Sequence, residues 1–352
     1  MSDFRELLNQ EIAALAAKVE QGELPDEMRY QLKKEMVALQ RSVELGNYDE
    51  KYEKVSHYVD WCLRIPFGKK TEDTLDIQKA QEIFNQHHYG MQEVKDRFLE
   101  YLAVLNLQKN NLQDEKFSAP ILLLVGLVGT GKTTFAYSLA EALGRKLVRI
   151  PFGGMGSSKE LRGNSRLLLG SEPGKVLKGV CESGVMNPII LLDEIDRASD
   201  DANMDIMGVL VELLDPAQNH AFTDDYVNYP IDLSQAIFLA TANNTRKIAT
   251  AVMDRMEKIS MPSYTDEEKI AIAKKYIMPK VLKEVGLKTE QFVIRDEMWI
   301  KMVRPLGFDA GIRTLQRTIQ GAARKAARII VEGKYNKVEI GQENYKIFLP
   351  SY

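Results

Sequence analysis

Gly126-Leu127-Val128-Gly129-Thr130-Gly131-Lys132-Thr133 is the stretch from which the fold can be worked out. An apolar run over residues 121–125 precedes it, and a helix-like segment over residues 135–143 follows it. A strand, a glycine-rich loop and a helix in this order are the context that a Walker A phosphate-binding loop requires. The alternative is a chance glycine turn, but that would not explain why the flanking segments agree with the motif. The stretch therefore predicts a nucleotide site.

The residue types in this stretch point to ATP with Mg²⁺. The glycines allow successive backbone N–H groups to point inward as an anion-binding nest at the N-terminus of a helix. Lys132 can then reach the β- and γ-phosphates, and the Thr133 hydroxyl can bind Mg²⁺. We therefore expect all eight residues of the loop to contribute to nucleotide binding.

An apolar run that ends in two carboxylates is the second part of the predicted site. Pro188-Ile189-Ile190-Leu191-Leu192-Asp193-Glu194 looks like a Walker B strand. Ligands of open α/β sheets bind at the carboxyl ends of the strands, where both acidic side chains would emerge. Asp193 would help to hold Mg²⁺ through water, because Mg²⁺ gives up its water shell reluctantly. Glu194 would orient and polarise the attacking water.

Three further polar residues are candidates for contacts near the γ-phosphate. Asn243 follows the apolar run of residues 237–242 and could bond the attacking water, although Asn also favours turns. Arg255 could reach the nucleotide of a neighbouring subunit and neutralise transition-state charge. A surface salt bridge explains Arg255 equally well from the sequence. Arg313 opens a helical segment and could close over the same phosphates.

The composition is that of an ordinary globular chain. Of its 352 residues, 45% are hydrophobic and 28% are charged, and the net charge of −3 does not demand a nucleic-acid partner. No apolar run is long enough to span a membrane, and the N-terminus lacks a signal-peptide pattern. Cys62 and Cys181 are far apart and lack metal-ligand spacing, which favours free thiols in a reducing cytosol. We expect a cytoplasmic protein without membrane contact.

The periodicity of apolar residues divides the chain into three parts. Residues 1–70 carry three amphipathic helical patterns, which predict a helical bundle used in packing or assembly. Residues 71–258 alternate helices with continuous apolar strands near residues 121, 147, 188 and 237, which predicts a parallel sheet covered on both faces. Residues 259–352 are mostly helical and begin with the capping box Thr265-Asp266-Glu267-Glu268. The predicted fold class is α/β: a P-loop NTPase sheet, preceded by a helical bundle and followed by a small helical lid.

Two other features have simpler explanations than a functional site. His87 and His88 could suggest a metal, but adjacent residues do not share a helix face and no third ligand is spaced nearby. Arg324, Lys325 and Arg328 make one helix basic, and a solvated face explains them better than a nucleic-acid site.

Together these residues resemble the AAA+ ATPase module of the Lon protease family. The resemblance runs from about residue 58 to residue 330, and residues 1–57 look like the last helical part of the family's N-terminal region. Besides the motifs above, it is carried by Val59-Asp60-Trp61-Cys62-Leu63, His88-Tyr89-Gly90, Leu99-Glu100-Tyr101-Leu102-Ala103-Val104, Ile195-Asp196, Leu214-Asp215-Pro216-Ala217-Gln218-Asn219-His220, Asp254-Arg255-Met256-Glu257 and Ala310-Gly311-Ile312-Arg313.

The resemblance implies roles for individual residues. Glu194 would be the acidic residue of hydrolysis, Asn243 the sensor-1 residue and Arg313 the sensor-2 residue. Arg255 would be the arginine finger that acts in trans, and Tyr89 would contact the adenine. The resemblance also implies a ring, usually hexameric, with a central channel that threads protein substrates.

The pore loops depart from the family pattern. The first lies around Arg166-Leu167-Leu168-Leu169-Gly170, where relatives usually have an aromatic at the position of Leu168. The second lies over residues 200–205, where an aromatic is common near Ala202. We expect these leucines and Ala202 to contact substrate, since leucine can still hold apolar groups by burial at ~25 cal/mol per Å². The leucines could instead form a core strand, although Gly163 and Gly170 favour a loop.

The sequence ends where the family's Ser-Lys peptidase domain begins, so we expect no peptide-bond cleavage by this chain. It is either an excerpt of a longer protein or a protease-less relative, and the Met-Ser start favours an intended N-terminus. The main hypothesis is a ring motor that hydrolyses MgATP to unfold or translocate proteins, with a separate peptidase as a candidate partner. The alternative is a nucleotide-switched scaffold or regulatory ATPase that threads nothing. A DNA-remodelling ATPase is disfavoured because no DNA-reading motif is present.

Overall fold

A computed structural model describes residues 2–45, 49–111, 120–168, 170–304 and 311–349. The chain divides into two compact units. The first unit comprises Met1–Ile77, Tyr101–Leu123 and Leu139–Lys258, and the second unit comprises Gln78–Glu100, Leu124–Ser138 and Ile259–Tyr352.

A helical bundle begins the first unit, as the sequence predicts. Apolar residues recur every three or four positions, so that each helix presents one apolar stripe. Ile12, Leu32 and Val59, one from each helix, are buried almost completely. The helices are α1 Ser2–Gln21, α2 Asp26–Leu45 and α3 Asp49–Arg64.

The central sheet contains all four strands that the sequence predicts, and one more. The strands of the chain up to residue 260 are β1 Ile121–Val125, β2 Leu147–Pro151, β3 Ile189–Asp193, β4 Phe222–Thr223, β5 Pro230–Ile231, β6 Ile237–Ala242 and β7 Met256–Ser260. Five of them form a parallel sheet in the order β2-β3-β6-β1-β7, which makes β2 an edge strand. Leu191 on β3 pairs with Arg149 on β2 and with Leu239 on β6. The central strands are apolar because both faces of a parallel sheet are normally covered by helices.

The helices between α3 and β7 follow the α/β alternation of the sequence. Along the part of the chain that the model describes, they are α4 Ile77–His87, α5 Gln92–Asn111, α6 Lys132–Leu143, α7 Lys159–Arg162, α8 Lys175–Ser183, α9 Asn203–Leu213 and α10 Thr250–Met253.

The second unit includes the C-terminal helical part. Its first helix has the predicted capping box, in which the Thr265 hydroxyl accepts from the Glu268 N–H and the Glu268 carboxylate accepts from the Thr265 N–H. The chain then passes through a π-helical turn into a helix with Pro279 in its first turn, where the missing N–H of proline leaves no helical hydrogen bond unmade. The elements are α11 Asp266–Ile272, the π-turn Ala273–Ile277, α12 Met278–Val285, β8 Phe292–Ile294, α13 Trp299–Val303, α14 Arg313–Val331, β9 Val338–Ile340 and α15 Tyr345–Phe348.

His88 is a core residue of the second unit. Its ring stacks on Phe135 with centroids 3.6 Å apart, and its Nε2 lies 2.9 Å from the Ser138 hydroxyl. Burial, with the neighbouring charges of His87 and Lys95, lowers the pKa of His88 to about 3. The ring is therefore neutral at physiological pH and serves packing.

The two cysteines are free thiols, Cys62 buried and Cys181 partly buried. Burial is the main cause that raises the pKa of each thiol to about 12, which makes both unreactive at neutral pH. Within the described ranges, no helix has both the length and the apolar character needed to cross a membrane.

Candidate nucleotide site

The glycine-rich loop joins β1 to α6, as predicted. Gly129 and Gly131 adopt φ values of +83° and +96°, which side-chain-bearing residues rarely adopt. α6 begins at Lys132, so the loop leads directly into the first turn of a helix, whose N–H groups lack helical partners. This arrangement fits the binding of an anion.

Lys132 is the buried cation of the loop. Its Nζ donates to the carbonyl of Gly126 at 2.6 Å and to the carbonyl of Leu127 at 3.0 Å. The side chain is thus folded over the loop rather than directed into solvent. Thr130 is fully buried beside it, and its carbonyl accepts a bond from the Tyr264 hydroxyl at 3.3 Å. Burial raises the pKa of Tyr264 to about 12, so this hydroxyl remains a donor.

The loop also contacts the start of α14, within the second unit. The Ile312 N–H donates to the Gly129 carbonyl at 3.2 Å. A Cβ on Gly311 would lie 2.4 Å from the Val128 carbonyl oxygen, so only glycine allows this approach. Arg313 comes two residues after Gly311, and its side chain is exposed. The chain through Gly311 and Ile312 therefore links Arg313 directly to the phosphate-binding loop.

Tyr89 lies in a tight turn of the second unit. Its side chain is 38% exposed, and the following residues Gly90 and Met91 both have positive φ. An exposed aromatic ring in a rigid turn is available for stacking on a base.

Asp193 ends β3 and is buried, with 2% of its surface exposed. Its Oδ1 accepts a bond from the Thr241 hydroxyl at 2.6 Å. Its Oδ2 accepts from Arg149, with Nε at 2.8 Å and a terminal guanidinium nitrogen at 2.6 Å. The carboxylate is held by hydrogen bonds from both neighbouring strands, β2 and β6.

Glu194 follows Asp193 and has an unusual backbone conformation. It adopts a left-handed conformation with φ 59°, which is unusual for a residue with a side chain. Its N–H donates to Thr241 Oγ1 at 2.8 Å, and its carboxylate lies 3.3 Å from Arg197. Thr241 thus fixes both acidic residues, and the two carboxylates are paired with different arginines, Asp193 with Arg149 and Glu194 with Arg197. The backbone outlier at Glu194 is a candidate functional position.

Asn243 follows β6 and is anchored through its backbone. Its N–H donates to one carboxylate oxygen of Asp196 at 3.1 Å, and the Asn244 N–H donates to the other at 3.2 Å. Asp196 is 6% exposed, so this anchor is shielded from solvent. The Asn243 side chain is therefore carried at a fixed position after the strand.

Arg255 forms a salt bridge, which is one of the two interpretations that the sequence allowed for this residue. It bonds Asp215 at 3.1 Å and the Ala251 carbonyl at 2.7 Å, with 29% of its side chain exposed. The Ala217 N–H, followed by Arg255 and Gln218, lowers the pKa of Asp215. The guanidinium is held partly exposed on the first unit.

The leucines of the predicted first pore loop are exposed. Leu167 is 86% and Leu168 is 54% exposed, which rules out a core strand for these two residues. Leu169 lies outside the described residues. In the second pore loop, Ala202 is only 6% exposed, so the expected substrate contact is not available to its side chain. The exposed apolar residue there is Met204, at 86%, because the chain enters α9 at this point.

Each of the two predicted motifs carries an oxygen donor of the kind that Mg²⁺ accepts. No group of three metal-ligating His, Cys, Asp or Glu side chains occurs in the described part of the chain. Mg²⁺ in nucleotide sites needs no such cage, because one or two protein oxygens combine with phosphates and water. Asp193 and the Thr133 hydroxyl are oxygen donors of this kind.

Reasoning from the sequence missed four supporting residues. Thr241, Arg149 and Asp196 position the acidic pair and Asn243, and Gly311 allows the loop to touch α14. A charged residue within an apolar strand was the available signal for Arg149. Asp196 and Gly311 stood in motifs that carried the family resemblance, but no role was assigned to them.

Two family models match the chain. The model of the ATPase family associated with various cellular activities (AAA) matches residues 122–264. The model of the Lon protease AAA+ ATPase lid domain matches residues 283–339. The first match covers the glycine-rich loop, the acidic pair, Asn243 and Arg255, and the second covers Arg313.

Similar full-length proteins include three bacterial Lon proteases. Lon protease 2 of Thermus thermophilus is 39% identical over 346 residues, Lon protease of Lawsonia intracellularis is 41% identical over 345, and Lon protease 1 of Bacillus subtilis is 37% identical over 339. These alignments cover 97%, 97% and 96% of this chain. They cover only 43%, 40% and 43% of the relatives, so the chain spans less than half of their length.

Proposed function

We propose that this chain, which carries the AAA+ ATPase module of the Lon protease family, forms a ring that uses ATP to move protein substrates. The observation that carries the proposal is the exposure of Leu167 and Leu168 on a loop whose base is fixed. We propose a homo-hexamer in the cytoplasm, with this loop facing a central channel. In this proposal the chain supplies the motor and not peptide-bond cleavage, and a separate peptidase is a candidate partner.

The chemical step is ATP hydrolysis, since the AAA domain makes the chain an ATP hydrolase. In the proposal, residues 126–133 bind the phosphates. Thr133 and, through water, Asp193 would hold Mg²⁺, which neutralises phosphate charge when bound. Glu194 accepts the proton of the attacking water, a task that requires a carboxylate not committed to the metal. The different partners of the two carboxylates support this division of roles, since Asp193 is buried against Arg149 and Thr241 while Glu194 pairs with Arg197.

Three further residues sense or complete the site. Asn243 would orient the attacking water from its position on the Asp196 anchor. Arg313 would respond to the phosphates and transmit their presence through α14. Arg255 would act on the nucleotide of the next subunit, and Tyr89 would stack on the adenine. The Ile312–Gly129 bond supports the role of Arg313, because it couples the phosphate loop to the start of α14.

The pore loop is built to present its leucines while its base stays in place. Gly163, at φ +83°, and Gly174 bring the two ends of the loop together. The Gly174 N–H donates to Asp224 Oδ2 at 2.7 Å, and Asp224 is fully buried. Arg166 pairs with Glu35 at 2.9 Å and lies over the Tyr58 ring, which ties the loop to α2 and α3. A force applied to the leucines would therefore be transmitted to the body of the first unit.

A reporter protein with a C-terminal unfolded tag tests this proposal. We expect ATP-dependent loss of the reporter's native fluorescence, and we expect the double change Leu167→Ser, Leu168→Ser to abolish it while basal ATP hydrolysis continues. Leu107→Ser is the matched control, because Leu107 is also an exposed leucine, at 61%, but lies on α5. Unfolding that persists in the double variant would contradict the role of the loop.

A nucleotide-switched scaffold is the second candidate function. It is favoured by the burial of Ala202 and by leucine at the position where relatives have an aromatic, since both weaken the grip on a substrate. This candidate predicts nucleotide-dependent assembly, measured by analytical ultracentrifugation, with no unfolding of any tagged reporter. The reporter assay therefore separates the two functions.

A further inference from the structure

Arg149 pairs with the carboxylate of Asp193, which is buried much more deeply than the Arg149 side chain. Its side chain is 49% exposed, whereas the Asp193 side chain is 3% exposed. Two guanidinium nitrogens converge on a single oxygen, Asp193 Oδ2, at 2.8 and 2.6 Å. Thr241 occupies the other oxygen. The pair therefore joins a fixed buried carboxylate to a cation that borders solvent.

A buried carboxylate requires a positive partner. Removing a carboxylate from water costs several kcal/mol unless opposite charge and hydrogen bonds compensate it. Thr241 supplies a hydrogen bond but no charge. Arg149 supplies opposite charge to Asp193 directly, whereas Arg197 pairs with Glu194 at 3.3 Å.

The same carboxylate is the one to which we assign Mg²⁺. A hydrated Mg²⁺ and a guanidinium would both bind the lone pairs of the Asp193 carboxylate. Two cations beside the same carboxylate repel each other. We propose that Arg149 is a positioning residue that competes with Mg²⁺ for Asp193 and so sets the Mg²⁺ concentration at which nucleotide binds. This inference rests on the proposed role of Asp193 in the nucleotide site.

The surroundings of Arg149 allow it to leave. It lies on β2, the edge strand of the sheet, and lines a cavity of about 520 Å³ in the first unit. The cavity is lined by three lysines, Lys146, Lys175 and Lys178, and by the carboxylate of Glu182. Lys175 and Lys178 are paired with Glu160 and Glu172, respectively. Arg149 therefore has open space on the side away from Asp193 and has room to leave that carboxylate.

A Mg²⁺ titration of nucleotide binding tests the inference without measuring catalysis. Fluorescent mant-ADP at a fixed concentration is mixed with the full chain, and Mg²⁺ is varied. We expect Arg149→Gln to lower the half-saturating Mg²⁺ concentration about tenfold, because a competing charged hydrogen bond is lost. Arg149→Lys keeps the positive charge, so its half-saturating Mg²⁺ concentration should be close to that of the wild type. Lys178→Gln, which removes a cation of the same cavity that is paired with Glu172, is the matched control and should leave the Mg²⁺ requirement unchanged.

Thermal unfolding distinguishes competition from a purely structural ion pair. Under our proposal, Arg149→Gln lowers the melting temperature in EDTA, and saturating Mg²⁺ with ADP removes most of the difference. A folded Arg149→Gln protein that needs as much Mg²⁺ as wild type, or more, would overturn the inference. Failure of the wild-type chain to bind mant-ADP with Mg²⁺ would instead overturn the proposed nucleotide site.

Discussion

The N–H of Ile312 donates to the carbonyl of Gly129, so the phosphate-binding loop and the start of α14 share a backbone hydrogen bond. Gly129 is in the left-handed conformation, and Gly311 approaches it so closely that a methyl group would not fit. We therefore expect a change in the loop on phosphate binding to be transmitted to the helix that carries Arg313. The contact explains why a glycine precedes Ile312.

Gly311→Ala tests this contact. The new Cβ would meet backbone atoms of Val128 and Gly129 at 2.4 to 2.8 Å, so the loop has to shift. We expect about a tenfold loss of nucleotide affinity, or about 1.4 kcal/mol, which lies at the lower end of the ~1–3 kcal/mol typical of overpacking. Binding of mant-ADP measures it. Gly321→Ala, where a Cβ meets nothing within 4 Å, is the control and should leave affinity unchanged. Equal affinities for both variants would refute the coupling.

Glu194→Gln should separate binding from hydrolysis. The amide keeps the size of the side chain but cannot accept a proton, so we expect ATP turnover to fall by about 10²-fold or more. Affinity for MgATP should remain, because the phosphate loop is untouched. Phosphate release and mant-ATP binding measure the two quantities. Glu182→Gln, on the exposed face of α8, is the control. Normal turnover in the Glu194 variant would remove this residue from its role.

Mixed rings test whether Arg255 acts between subunits. Arg255→Ala alone should abolish turnover and leave nucleotide binding intact. When Arg255→Ala and Glu194→Gln subunits are mixed, some interfaces combine an intact Glu194 with an intact Arg255. We therefore expect partial recovery of ATP hydrolysis, with a maximum at intermediate ratios.

Two controls accompany the mixing experiment. Arg246→Ala removes a nearby exposed arginine and should not reduce turnover. Native mass spectrometry establishes that mixed rings form. Mixed rings without any recovery would assign Arg255 to the Asp215 salt bridge alone.

His88 predicts how stability depends on pH. Its pKa is lowered to about 3 in the folded chain, whereas an unfolded histidine has a pKa near 6.5. Between these values the unfolded chain binds more protons, so acid favours unfolding. The contribution of His88 is complete above pH ~7 and falls by at most ~1.4 kcal/mol per pH unit below pH ~6.5.

Chemical unfolding at pH 7, 6 and 5 measures this effect. We expect His88→Gln to be less stable than wild type at pH 7, because the Phe135 stacking is lost. The difference between the two proteins should shrink as the pH falls. The exposed His220→Gln is the control and should follow wild type. A constant difference between wild type and His88→Gln would contradict the burial of a neutral ring.

Features encoded by neighbouring residues could be predicted from the sequence. The glycine-rich loop, the apolar strands and the Thr265 capping box depend on contacts within a few positions of the chain. The acidic pair was predictable as well, because an apolar strand that ends in two carboxylates is a local pattern. Side-chain exposure was less predictable: Leu167 and Ala202 are both apolar, but one is exposed and the other is buried.

The sequence alone determined that this chain has a Walker A loop between a strand and a helix, followed by an acidic pair at the end of a second strand. Only the tertiary structure decided what surrounds them. Arg149 and Thr241 bind Asp193 from strands that lie 44 and 48 positions away in the sequence. Ile312 binds Gly129 from a distant part of the sequence. Local propensity carries no information about such partners, because they are brought together by strand pairing and by packing of the folded chain.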